Sequence, residues 1–315
     1  MNRAQSRVIV ICSSHIAWWP NEHWLSSRIV NRIAWLCVFL ASQCCATTVI
    51  TIVTVHGIVI CADSMNSNES SKELIPRQPS TTEMQKTFII QDRVALAHDG
   101  AMILEFVMFD GKKLVQVGTP YSVARIVRDL RRDTSLMDTI VGVATKLRQK
   151  LVSQFNGFDA ILKEGYMKRP EGHPIEDDTV THFTIAGYDG PTAHVYEVGV
   201  GLSWRTLTHY VTPVRTLYPG GNRKNIGLFV QGYSDAIQDL WKNPNSPSTR
   251  KFAAAFPSEY KALPYDLDLS LGQMITLARG LLAIQIERTP SAVAYPLTVV
   301  TIPPSGHITT KPYEK

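Results

Sequence analysis

From Thr47 onward the chain reads Thr-Thr-Val-Ile-Thr-Ile-Val-Thr-Val, a β-branched run that suits a pleated sheet and that no helix favours. Residues 58–62, Ile-Val-Ile-Cys-Ala, repeat that character, and His56-Gly57 between the two runs predicts a two-residue hairpin loop with Val55 opposite Ile58. The Ser- and Asn-rich stretch 66–82 predicts an exposed loop. Residues 87–90 and 94–97, joined through Gln91-Asp92-Arg93, predict a second hairpin with Ile90 opposite Arg93. The period then turns helical. Val123, Ile126, Val127 and Leu130, followed by Ile140, Val143, Ala144, Leu147 and Leu151, mark two consecutive helices ending near Phe155. Further strands are expected at 183–188, 193–198, 228–230 and 297–302, and further helices at 235–241 and 269–287. Strands, two helices, strands, helices and a last strand predict an α+β fold of two sheets packed face to face with helix layers outside.

The segment before Thr47 is built differently. Arg28 and Arg32 form a basic flank, residues 33–41 an apolar core, and small residues at Cys44 and Ala46 an A-x-A-like cleavage site, the pattern of a secretory leader. The alternative is an N-terminal apolar helix that stays attached to the fold. The apolar core is about half of the ~20 residues a bilayer span needs, so no stable membrane span is expected. Residues 1–27 fit neither picture. The chain therefore divides into a leader, 1–46, and one domain, 47–315. Cleavage after Ala46 would give Thr47 both a hydroxyl and a free amine, the two groups that a threonine nucleophile acting with its own base requires.

Composition changes with that cut. Arg3, Arg7, Arg28 and Arg32 against Glu22 put +3 of the net +5 in the leader, so the domain is nearly neutral and gives no argument for a nucleic-acid or acidic-lipid partner. Four of the five cysteines lie in the leader, leaving Cys61 alone. An intrachain disulfide is then impossible, and no Cys/His metal spacing survives. The tract Tyr218-Pro219-Gly220-Gly221-Asn222-Arg223-Lys224 lacks phosphate-loop spacing and reads as a basic surface turn. Arg125, Arg128 and Arg132 share one helix face, toward solvent or a neighbouring subunit.

The open end of the first hairpin carries Thr47 and the region just past Asp63; that of the second carries Lys86 and the approach to Gly100. Laid side by side in one sheet, the hairpins would bring a hydroxyl, a carboxylate, a lysine and a glycine amide to one edge. Thr47-Thr48-Val49, His56-Gly57-Ile58-Val59-Ile60-Cys61-Ala62-Asp63-Ser64, Lys86 and Gly100 together resemble a proteasome-type β subunit. The match is specific over residues 47–100 and fades in the C-terminal third.

This resemblance implies an N-terminal-nucleophile (Ntn) hydrolase with a four-layer αββα sandwich, acting as a threonine-type peptidase on a peptide or protein substrate without a cofactor or metal. Thr47 Oγ would attack the carbonyl, its own amine taking the proton. Lys86 would favour the alkoxide-like transition state and lower the amine's pKa, Asp63 would orient Lys86, and the Gly100 amide would donate to the oxyanion. By the same alignment Ser67 would hold the extended substrate, and Met84, Phe88, His98 and Met102 would line an apolar side-chain pocket; core packing on a strand face is the equal alternative for those four. The resemblance also implies a homo-oligomer, with rings of subunits. Export, periplasmic or extracellular, follows if the leader is a signal peptide, and a cytoplasmic location otherwise. The family's Ser-Gly-Ser turn, and the Asp and Ser after its last long helix, have no clear counterpart in Ile286-Glu287-Arg288-Thr289-Pro290-Ser291-Ala292. An amidase or acylase on the same fold, and a non-catalytic ring subunit with its leader retained, are the rival readings.

Overall fold

The computed structural model describes residues 7–11, 47–64, 85–100, 103–110, 113–116, 121–160, 178–203, 205–219, 227–232, 234–262, 269–290 and 293–314. The chain enters through β1 (Arg7–Ile11), β2 (Thr48–Thr54), β3 (Gly57–Asp63), β4 (Thr87–Ile90), β5 (Val94–Gly100), β6 (Ile103–Asp110), β7 (Lys113–Gln116) and β8 (Tyr121–Ser122). Helices α1 (Val123–Asp133) and α2 (Ile140–Gln154) follow, then β9 (Asp178–Asp189), β10 (Thr192–Ser203), β11 (Thr208–Val211), β12 (Arg215–Tyr218) and β13 (Gly227–Gly232). Helices α3 (Asp235–Lys242), α4 (Pro247–Ala255), α5 (Pro257–Ala262) and α6 (Leu271–Arg288) precede β14 (Leu297–Ile302) and β15 (Thr309–Tyr313).

The fold is α+β, with two main antiparallel sheets. One runs β13-β2-β3-β14-β15; the other runs β11-β10-β9-β5-β4, with β12 also paired to β10. A smaller sheet is built on β6, which pairs with β1, β7 and β8. Helix starts follow capping chemistry. The side chains of Ser122, Thr139 and Ser246 accept from backbone N–H groups of the first turn, and Ser270 with Gln273 forms a reciprocal capping box on α6.

Three apolar cores follow from the period-two alternation of the central strands. Ile50, Ile52, Val59 and Cys61 pack with Met274, Leu277, Leu281 and Leu282 of α6. On the opposite faces of the same strands, Val49, Val53, Ile58 and Ile60 pack with Ala95, Ala97, Ala186 and Val195 of the other sheet. That second sheet turns Leu96, Phe183 and Ile185 toward Val127 and Leu130 of α1 and Val143 and Leu147 of α2. The apolar runs noted in the sequence are therefore strands covered on both sides.

Two expectations about the hairpins are corrected. In the first, Thr54 pairs with Gly57 and Val49 with Ala62, so Val55-His56 forms the loop and Gly57 belongs to the strand. Gly57 is needed for space: a Cβ there would lie 2.7 Å from Leu271 Cδ2 and 2.8 Å from Ile302 O. The shift is two residues, which leaves every side chain on its expected face, since only odd slips exchange faces. In the second hairpin Ile90 pairs with Val94, and Gln91 and Asp92 take left-handed φ of 52° and 54° to close a three-residue loop. The hairpins also do not share a sheet. β2 and β3 lie in the five-stranded sheet, β4 and β5 in the six-stranded one.

Candidate active site

Asp63 ends β3, and Lys86 immediately precedes β4 on the other sheet. Lys86 Nζ donates to Asp63 Oδ2 at 3.0 Å, while Asp63 Oδ1 accepts the Thr48 backbone N–H at 2.9 Å. Thr47, Asp63 and Lys86 are only 4%, 1% and 4% exposed, so the ion pair is held with almost no water. Burying two charges is costly unless both carboxylate oxygens are occupied, and here each receives a donor. The Lys86 carbonyl accepts the His98 N–H at 2.9 Å, which fastens the lysine to β5 two residues before Gly100.

Gly100 has φ +91°, and a Cβ on it would lie 2.7 Å from Val180 O on the neighbouring β9. A second glycine, not singled out in the sequence, closes the site from the far side. β13 runs beside β2 with Gly232 opposite Thr48, and a Cβ on Gly232 (φ +75°) would lie 1.7 Å from the Thr47 carbonyl oxygen. Only a residue without a side chain lets the backbone pass so near Thr47. The sequence signal was a short apolar strand broken by Gln231-Gly232.

Behind these residues, on the inner face of the six-stranded sheet, lies a row of buried and half-buried polar groups with no motif spacing in the sequence to mark it. Asp99 of β5 pairs in register with His182 of β9, whose Nδ1 is 3.6 Å from Asp99 Oδ1. His182 Nε2 is 2.6 Å from Glu197 Oε1 on β10. Gly199, opposite His182, leaves room for the ring; a Cβ there would meet His182 Cδ2 at 2.8 Å. Glu197 also accepts from the Gln231 amide at 3.2 Å and from the Arg215 guanidinium, whose side chain is 67% exposed. Thr184 donates to Gln231 Oε1.

Burial pushes the Asp99 carboxyl up to about 6, reinforced by Glu197 and opposed by the positive charges of His182 and Lys86. For His182 burial works against the charged form, yet the hydrogen bond and charge of Glu197, with the charge of Asp99, leave its pKa above the ordinary value. Burial likewise works against ionised Glu197, but His182 and Arg215 hold it below the ordinary range.

Of the four residues read as pocket lining or core packing, two are described. Phe88 is buried in the core beneath α1 and α2. His98 is in the same region: Nε2 lies 2.7 Å from Thr181 Oγ1, and its ring centroid is 4.8 Å from that of Phe183. Thr181 Oγ1 in turn lies 2.8 Å from Tyr121 OH. Ser67, Met84 and Met102 lie outside the described residues, as do Ser291 and Ala292 after the last helix. Comparison with protein-family models and with curated proteins gives no match. Among the described residues, no group of three or more His, Cys, Asp or Glu side chains could hold a metal ion, and no helix is long and apolar enough to cross a membrane.

Proposed function

We propose that this chain is a threonine-type Ntn hydrolase of the proteasome β-subunit kind, which cleaves peptide bonds through an acyl-enzyme on Thr47 after removal of residues 1–46. The observation that carries the reading is the buried Asp63 carboxylate, shared between the Thr48 N–H and Lys86 Nζ beside Thr47. The three stacked cores support a four-layer αββα arrangement.

In this mechanism the Thr47 amine takes the proton from Oγ as Oγ bonds to the substrate carbonyl carbon. The Lys86 cation offsets the negative charge developing on Oγ, and the Gly100 N–H receives the carbonyl oxygen as it becomes an oxyanion. The ammonium returns its proton to the leaving amine as the C–N bond breaks, and water then releases the acyl group by the reverse sequence. Signal peptidase cutting after Ala46 would expose the amine on export. A peptide or protein substrate and a ring of identical subunits belong to the same reading.

The test is the N-terminal sequence of protein purified from its own host, followed by incubation with a peptide epoxyketone. A chain starting at Thr47 that forms the adduct, and a Thr47→Ala variant devoid of hydrolysis, are the expected results. A chain that retains residues before Thr47 and forms no adduct would overturn the reading in favour of a non-catalytic subunit.

A further inference from the structure

The row Asp99, His182, Glu197 and Arg215 has no part in the mechanism above, yet one end of it reaches Thr47. Gly232 is the shared neighbour: the position its Cβ would occupy is 1.7 Å from the Thr47 carbonyl oxygen and 3.2 Å from Asp99 Oδ2. Asp99 is 6% exposed, and its Oδ1 accepts no hydrogen bond among the described residues. Oδ1 is the oxygen that faces His182 Nδ1 at 3.6 Å and Oδ2 the one on the Gly232 side, so the carboxylate has one oxygen toward the His182 cation and the other toward the backbone at Thr47. Cleavage before Thr47 would add a second positive group on the Oδ2 side, a new amine that becomes an ammonium during the reaction.

Resting on the hydrolase reading, we propose that Asp99 is a positioning residue, held by His182 on the inner sheet face, which balances the positive charge that the Thr47 amine gains when it takes the hydroxyl proton. The charged and titratable groups around Asp99 come from each strand packed there. They are His182 of β9, Glu197 of β10 with Arg215 of β12 behind it, and Lys86 before β4; β13 contributes the uncharged Gln231. Asp63 of β3 is already committed to Lys86 and Thr48. The two cations pull Asp99 toward ionisation, while burial and Glu197 resist it. His182 thus favours the Asp99 anion beside Gly232, and Glu197 with Asp99 favours the His182 cation against burial and the charge of Arg215.

The sign of the effect follows. An anion near the amine raises the amine's pKa and stabilises the ammonium in the transition state. Removing it makes the amine neutral at lower pH but a weaker proton acceptor. In the mature protein, Asp99→Asn is therefore expected to move the acid limb of the kcat/KM profile about one pH unit lower and to reduce the plateau by roughly tenfold. The limb position does not depend on the amount of active enzyme, so partial misfolding does not mimic the shift. His182→Gln, which keeps Asp99 but removes its cation, is expected to move the limb in the same direction by less.

Epoxyketone labelling of Thr47 is run in parallel. Wild-type labelling with unshifted acid limbs in both variants overturns the role of Asp99. Failure of the wild type to label or hydrolyse overturns the hydrolase reading instead. If Asp99→Asn does not fold, the limb of His182→Gln decides: a shift supports the proposal and an unmoved limb overturns it.

Discussion

The Thr48 amide and the Asp63 carboxylate meet at 2.9 Å because the hairpin register, one step beyond the Val49–Ala62 pair, brings residue 63 beside residue 48. The other carboxylate oxygen receives Lys86 at 3.0 Å. Breaking this bridge on one side leaves a buried charge unpaired, which typically costs about 3–5 kcal/mol. Lys86→Met is expected to lose that much in urea unfolding, together with all hydrolysis. The double variant Asp63→Leu with Lys86→Met is expected to recover part of the stability, since the Thr48 N–H loses its carboxylate acceptor, and none of the activity. Equal stability of wild type and Lys86→Met would show that the pair is not desolvated.

Gly232→Ala is expected to displace Thr47, because the added methyl would sit 1.7 Å from the Thr47 carbonyl oxygen at a φ of +75°. Gly190→Ala is the comparison: it has φ +60° but nothing within 4 Å of the new Cβ. Both variants carry backbone strain of about 1–3 kcal/mol. Only Gly232→Ala should also lose hydrolysis and epoxyketone labelling, as read by intact mass.

Asp99 makes stability depend on pH in a definite direction. Its carboxyl rises from 3.8 to about 6 on folding, so the folded state favours the protonated form. The stabilising contribution is complete below the unfolded value and is lost as pH rises through about 6, a change of about 3 kcal/mol. Asp99→Asn lacks this dependence. Its stability relative to wild type should therefore climb by up to about 3 kcal/mol between pH 4 and pH 7 in urea titrations. Parallel curves would mean that Asp99 is not desolvated. His182, whose pKa is also raised, loses its own contribution as pH increases above 6.5.

Cys61 is fully buried, and burial raises its thiol well above the ordinary value. A chain beginning at Thr47 is expected to react with a thiol reagent at pH 8 only after unfolding, with one equivalent released in urea and almost none without it. Rapid labelling of the native chain would place the five-stranded sheet's helix-facing core in contact with solvent.

Much of this arrangement was legible in the sequence. The apolar runs become β2, β3, β5 and β14, the helical periods become α1, α2 and α6, and the contact of Asp63 with Lys86 is one that the family resemblance implies. Local pattern could not give the partners of the strands. Nothing within residues 87–100 reveals that β5 lies against β9, some 83 residues away as Asp99 and His182 count it, so the hairpins were assigned to a common sheet. Short strands such as Thr208–Val211 and Arg215–Tyr218 carry too few apolar positions to show a period, and Pro312 disguised the edge strand β15. The buried row did leave a trace. Asp99, His182 and Glu197 each occupy an inward position where alternation calls for an apolar residue, but only the folded sheet shows that the three exceptions adjoin.

Asp63 ends a strand of the five-stranded sheet and Lys86 precedes a strand of the six-stranded one, so their contact works as a vernier between the two sheets. A slip of one sheet past the other by a single residue is about 3.3 Å, longer than the 3.0 Å bond itself. The inner face that sets this alignment is made of Ala95, Ala97 and Ala186 against Val49, Val53 and Ile60, so one methylene added there can put the lysine out of reach while neither residue of the bond is changed.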